Sequence, residues 1–256
     1  MPRTRPLSAL AARDRLIVAL DQDSAADARA LVRDLGDAVS FYKVGWVTLV
    51  VTGIGIVEEL RGLGKQVFLD LKLFDVPNTV REAMARVTRL GVRFATVHGN
   101  RENIAAAVAG RAAAIHAGAE GGLQILAVTA LTSLAEHDVR QMYSLPATVS
   151  LEEHVVHVAR RMVEAGCDGV IASPREIARI RSIFPDTVLI VTPGIRLAGE
   201  SVDDHKRPGT PADSIRAGAD YLVVGRSIYQ DSDPRRKAAA YVQEIEKGLA
   251  GRGVSG

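Results

Sequence analysis

The chain has 256 residues, 47% hydrophobic and 24% charged, which is the make-up of an ordinary soluble globular protein with enough chain for one large core. Its formal net charge is +2 with no dense Lys/Arg run, so neither nucleic acid nor an anionic membrane is expected as a partner. No apolar segment reaches the roughly 18 uninterrupted residues needed to span a bilayer, and Met1 to Asp14 is too weakly apolar for a signal peptide. The expected compartment is the cytoplasm. Cys167 is the single cysteine, reads as a small packing residue, and can form no internal disulfide.

Taken in order, a polar leader over 1–14 gives way to apolar runs at about 15–20, 40–45, 67–72, 94–97, 123–128, 169–172, 188–192 and 221–225. Between and after them lie amphipathic stretches at about 24–35, 53–63, 77–90, 101–117, 150–165, 174–183, 211–217 and 234–249. Eight such units in one chain of this size predict a closed (β/α)8 barrel, that is, a TIM barrel of the α/β class, as a single domain over 15–250. A Gly-rich tail is expected over 251–256. No Gly-x-Gly-x-x-Gly fingerprint follows the first strand, which argues against a doubly wound dinucleotide fold. Long connections at 129–149 and 193–210 are candidate binding loops.

Charges cluster at the ends of the first three strands. Asp21 closes Leu16-Ile17-Val18-Ala19-Leu20, and Lys43 interrupts Phe41-Tyr42-Lys43-Val44-Gly45. The third strand ends Phe68-Leu69-Asp70-Leu71-Lys72-Leu73-Phe74-Asp75, and Pro77 then suits the first turn of a helix. Residues two apart on a strand share a face, so Asp70 and Lys72 point one way while Leu69 and Leu71 point the other. Alternating signs at one place favour the charged form of every member. Protonated lysines of this kind do not suit Schiff-base chemistry, which needs the free amine.

The last two strands end Thr192-Pro193-Gly194-Ile195-Arg196 and Val224-Gly225-Arg226-Ser227. Glycine lets a backbone approach a ligand and arginine offers a planar donor fork, and barrels of this class often bind phosphate after these two strands, beside a short helix.

Asp21, Tyr42-Lys43-Val44-Gly45, the Asp70-x-Lys72-x-x-Asp75 run with Pro77-Asn78-Thr79, Leu131-Thr132-Ser133 and the two strand ends above closely resemble the orotidine 5′-phosphate decarboxylase family from about residue 15 to 240. The resemblance implies a homodimeric barrel that converts orotidine monophosphate to UMP and CO2 in pyrimidine synthesis, without metal or organic cofactor. It gives Lys72 the role of proton donor to C6 and sets Asp70 beside the departing carboxylate. Lys43 would join the charge network and contact the ribose, Asp21 would bind a ribose hydroxyl, and Asp75 would reach into the neighbouring subunit's site. Substrate contact is implied along the whole run Asp70, Leu71, Lys72, Leu73, Phe74, Asp75, Val76, Pro77, Asn78 and Thr79. Thr132 would meet the pyrimidine, while Pro193, Arg196, His205, Gly225 and Arg226 would surround the phosphate.

Three positions depart from the family pattern. Asp204-His205 stands where an aspartate and glutamine are common, Phe74 where a histidine is, and His98-Gly99-Asn100-Arg101 replaces His-Ala-x-Gly-Gly. Related sugar-phosphate enzymes share Asp-x-Lys-x-x-Asp but bind Mg²⁺, and a cation at Lys43 argues against them. A non-catalytic phosphate-binding barrel is the other alternative, disfavoured by the intact Asp70 and Lys72. His154 and His157 share a helix face without a third ligand, and His116 and His137 carry no assigned role.

Overall fold

A computed structural model describes residues 10–131, 134–184, 187–200 and 209–252. Eight strands form a closed, wholly parallel barrel in chain order: β1 (Leu16–Ala19), β2 (Phe41–Gly45), β3 (Gln66–Leu73), β4 (Phe94–Val97), β5 (Gln124–Val128), β6 (Gly169–Ile171), β7 (Leu189–Thr192) and β8 (Tyr221–Val224). Closure is made by β8 against β1, with Ile17 opposite Val223. The expected (β/α)8 fold is therefore observed.

Alternation along each strand divides the core into two layers. Ile17, Phe41, Phe68, Phe94, Leu126, Val191 and Tyr221 fill the barrel, while Leu16, Val18, Tyr42, Val44, Val67 and Leu69 face the surrounding helices. Phe94 packs its ring 5.2 Å from Phe41 and 5.0 Å edge-on from Tyr221, so aromatic side chains plug the interior. Two residues further along β2, β3 and β4, the inward positions are Lys43, Asp70 and Thr96. The same period that builds the core thus lifts polar groups to the C-terminal mouth.

The main outer helices are α1 (Ala25–Leu35), α3 (Gly55–Gly62), α4 (Pro77–Arg89), α5 (Arg101–His116), α7 (Leu151–Glu164), α8 (Ile177–Ile183), α9 (Pro211–Ala217) and α11 (Pro234–Arg252). Their starts are locally encoded. Ser24 and Thr210 accept from backbone amides three residues on, Ser150 forms a capping box with Glu153, and Pro77 and Pro211 occupy first turns.

Several details differ from the sequence expectation. Residues 46–52, which lie between the expected strand at 40–45 and the expected helix at 53–63, form a further helix, α2 (Trp46–Thr52). The loop 129–149 contains α6 (Glu136–Met142), and α10 (Arg226–Tyr229) follows β8 directly. The end of the expected leader is part of the fold: Ala12–Arg15 make a 3-10 turn, Ala12 is buried, and buried Arg15 donates to the Asp220 carbonyl at 3.2 Å. At the other end α11 runs to Arg252, so Gly251 is helical and does not begin the tail.

Candidate active site

The charged residues of the first three strand ends converge. Lys43 Nζ lies 3.0 Å from Asp21 Oδ1 and 3.9 Å from Asp70 Oδ2, and Lys72 Nζ donates to Asp70 Oδ2 at 2.7 Å. Gly45 permits this packing, since a Cβ there would stand 2.9 Å from Lys43 Nζ. Asp70 is the hub of the cluster. Burial alone would raise its carboxyl, but Lys43, Lys72 and the Thr96 hydroxyl outweigh that and hold it below the ordinary carboxylate range.

Thr96 was not singled out by the sequence. Its hydroxyl donates to Asp70 Oδ1 at 2.8 Å and accepts from the Lys72 amide at 2.9 Å. The β3–β4 register slips between Leu69 and Leu73, and Lys72 takes a left-handed backbone conformation with φ of 47°. Such a conformation costs a non-glycine residue roughly 1–2 kcal/mol and persists where neighbours over-determine it. Thr96 supplies the partner that the disrupted ladder withholds. The available signal was its inward position two residues after Phe94.

Lys43, Asp70, Lys72 and Pro193 line a cavity of about 180 Å³ floored by Phe68, Val128, Ile171 and Val223. A larger cavity of about 580 Å³ opens at the other end of the barrel, around Arg93, Arg111, Gln124 and Cys167. Chemistry favours the smaller one. At the far end Arg111 is already engaged by Asp168, and burial pushes the Cys167 thiol up to about 12, well away from a nucleophilic thiolate.

Other predicted residues fall around the mouth. Arg196 is buried and donates to the Ile195 carbonyl at 2.9 Å, Gly225 precedes α10, and Arg226 opens it. Tyr229 reports their proximity: its phenol is raised by burial first and then by Asp21, with Arg226 and Arg196 opposing. Leu71 and Leu73 turn their side chains into the outer layer, away from the mouth. Phe74, Asp75, Val76, Pro77, Asn78 and Thr79 are exposed at the rim. Asp75 accepts from the Val76 amide at 2.6 Å and makes no ion pair among the described residues. Thr132 and His205 lie outside the described residues.

The departures at Phe74 and His98 belong together. The Phe74 ring lies 5.9 Å from that of His98 and covers Gly99, where a Cβ would come within 2.6 Å of it. Gly99 also has φ of +106°, so a side chain is doubly disfavoured at that position. His98 is lowered by burial and then by the Lys72 charge.

A closed parallel barrel with partly buried alternating charges at its C-terminal mouth and two arginine-bearing loops after β7 and β8 defines a (β/α)8-barrel enzyme. The sequence profile described as "Orotidine 5'-phosphate decarboxylase / HUMPS family" matches residues 14–241, and the chain belongs to that family. It is 45% identical to the orotidine 5'-phosphate decarboxylase of Nitrobacter winogradskyi over 93% of this chain and 95% of the relative. Against that of Bradyrhizobium sp. it is 44% identical over 93% of each. The crystal structure of the Lactobacillus acidophilus orotidine 5'-phosphate decarboxylase superposes with a TM-score of 0.78 at 35% identity, over 91% of this chain and 99% of that one.

Proposed function

We propose that this protein decarboxylates orotidine 5′-phosphate to UMP in pyrimidine biosynthesis. The observation that carries the reading is the Lys72 ammonium, held 2.7 Å from Asp70 at the barrel mouth with Lys43 behind it. In the reaction the bond from C6 to the carboxylate carbon breaks, CO2 leaves, and the electron pair stays on C6. No neighbouring carbonyl accepts that pair, so stabilisation must come from charge already in place. Lys72 supplies that charge and then transfers a proton to C6.

Asp70 would lie beside the departing carboxylate. Two unit charges about 4 Å apart at an effective dielectric near 20 repel by about 4 kcal/mol. Enzymes generally remove about 8–23 kcal/mol from a barrier, so repulsion is only a helper. The preorganised Lys72 charge and binding energy from the phosphate, through Arg196, Gly225 and Arg226, account for most of the remainder. Asp21 and Lys43 would hold the ribose, and Thr132, Pro193 and His205 would complete the pyrimidine and phosphate contacts.

Lys43 also separates this reading from a Mg²⁺-dependent sugar-phosphate reaction. Its ammonium occupies the space between Asp21 and Asp70 where a divalent ion would need the carboxylates. Purified protein should deplete orotidine monophosphate in an absorbance assay, and Lys72→Ala should abolish turnover with unchanged circular dichroism. Wild-type turnover in that variant would reject the mechanism.

The working unit is a homodimer with shared sites. Trp46, Val47, Val50, Val51 and Ile54 on and after α2 are exposed, as are Phe74 and Val76 at the rim, and Trp46 donates its indole N–H to the Leu71 carbonyl at 3.0 Å. Large exposed apolar side chains grouped on α2 and at the rim after β3 suit an interaction site. It borders Asp75, whose carboxylate would complete the partner's cluster. The family's metabolic role points to the cytoplasm as the compartment, and among the described residues no helix is long and apolar enough to cross a membrane.

A further inference from the structure

The two arginine-bearing loops are joined by a carboxylate that no part of the reaction requires. Glu200 lies in the connection after β7. Its Oε2 accepts from Ser227 Oγ at 2.6 Å, from the Tyr241 hydroxyl at 2.9 Å and from the Leu197 amide at 3.0 Å. Its Oε1 takes the Lys237 ammonium at 2.5 Å. Tyr241 is fully buried on α11, and its hydroxyl oxygen also lies 2.7 Å from Ser227 Oγ. Burial raises the Glu200 carboxyl, but donation from Lys237, Ser227, Leu197 and Tyr241 outweighs that and keeps it below the ordinary range.

The chain neighbours of these groups give the network its meaning. Leu197 follows Arg196, and Ser227 follows Arg226. One carboxylate therefore ties the residue after each arginine to the same point, and α11 anchors that point to the barrel wall through Tyr241 and Lys237. The arm after β7 is pinned a second time, since the Arg196 amide donates to the Gly209 carbonyl at 3.0 Å. Four partners on one partly buried carboxylate are more than a helix cap or surface pair requires, and Lys237, which also meets Asp231 at 3.3 Å, balances its charge.

We propose that Glu200 is a positioning residue for phosphate recognition, holding the Arg196 arm and the Gly225–Arg226 arm at a fixed separation. This rests on the reading that those arms bind the substrate phosphate. Two donors aimed at one dianion act together only if their spacing is set in advance, because mobile arms must be ordered at the cost of binding energy. The effect should appear in contacts to the phosphate and not in contacts to the base or ribose.

The test is the ratio of inhibition constants for uridine and UMP, measured against orotidine monophosphate turnover, which reads what the phosphate contributes. Glu200→Ala should lower that ratio about tenfold, corresponding to about 1.4 kcal/mol, and raise KM more than it lowers kcat. Glu200→Gln, whose amide oxygen can still accept from Ser227 and Leu197, should keep most of the wild-type ratio. Tyr241→Phe and Ser227→Ala each remove one donor and should lower the ratio by a few fold, and they carry the test if Glu200→Ala fails to fold. Arg196→Ala serves as the reference. If it collapses the ratio while Glu200→Ala, Tyr241→Phe and Ser227→Ala leave it unchanged, the clamp is wrong and the phosphate assignment stands. If Arg196→Ala itself leaves the ratio unchanged, the phosphate assignment fails and the clamp with it.

Discussion

Replacing Thr96 with valine removes one hydroxyl while keeping the side chain's shape, and so isolates the support beneath the catalytic pair. Thr96 is fully buried, donates to Asp70 at 2.8 Å and accepts from the Lys72 amide at 2.9 Å. A hydrogen bond to a charged group contributes about 1.5–3 kcal/mol, and an amide left without a partner costs about 1–3 kcal/mol more when buried. Lys72 is only partly buried, so water can recover part of the second loss, and a total near 2–3 kcal/mol is expected. For a domain of this size that lowers Tm by roughly 2–4 °C per kcal/mol.

The effect on catalysis should be comparable in free energy to the effect on stability. Without Thr96 the Lys72 backbone can relax from its left-handed conformation, moving the ammonium relative to C6. Misplacement of a catalytic group on the ångström scale can cost about 100-fold, so kcat for orotidine monophosphate should fall by one to two orders of magnitude, with a smaller change in KM. Thr96→Ser keeps the hydroxyl and should remain within a few fold of wild type. Initial-rate absorbance kinetics with thermal melts of the three proteins make the comparison. A Thr96→Val enzyme with wild-type kcat and Tm would show that Lys72 is positioned without this bond.

Three further outcomes are expected. Lys72→Ala and Asp75→Asn, each nearly inactive alone, should regain partial activity when their subunits are allowed to exchange, because one site of the mixed dimer then contains both native residues; proven exchange without recovery would confine Asp75 to its own subunit. Dialysis against EDTA should leave activity unchanged, whereas dependence on added Mg²⁺ would transfer the protein to the metal-dependent relatives. Because the folded Asp70 carboxyl lies below its unfolded value of about 3.9, its stabilising contribution is complete above that pH and is lost as pH falls through the folded value. The Tm gap between wild type and Asp70→Asn should therefore be constant from pH 7 to 5 and narrow below about pH 4, and a gap that stays constant in acid would contradict the depressed carboxyl.

Much of the architecture follows from local pattern. Alternation in Leu16-Ile17-Val18-Ala19 and Val67-Phe68-Leu69-Asp70 assigns each side chain to a layer, since successive strand residues must face opposite ways. That rule placed Asp70 and Lys72 on one face and Leu69 and Leu71 on the other. Ser24, Ser150, Pro77 and Pro211 mark helix starts because capping depends on residues only three apart. Local pattern is weaker where two structures suit the same composition. Trp46–Thr52 is apolar enough for a strand, yet forms a helix that leaves its apolar face outside the barrel.

The sequence by itself determined the eight-unit barrel, the inward Lys43, Asp70 and Lys72, and the two arginine-bearing strand ends, because periodicity and chain order carry that information. Only the tertiary structure decided how those groups are held. Thr96 meets Asp70 across 26 positions, and Glu200 meets Ser227 and Tyr241 across 27 and 41. A threonine in a strand or a glutamate in a loop has no local signature of such a role. Its partners are chosen by barrel closure, which brings neighbouring strand ends together and supplies the low-dielectric setting in which a few hydrogen bonds hold a charge in place.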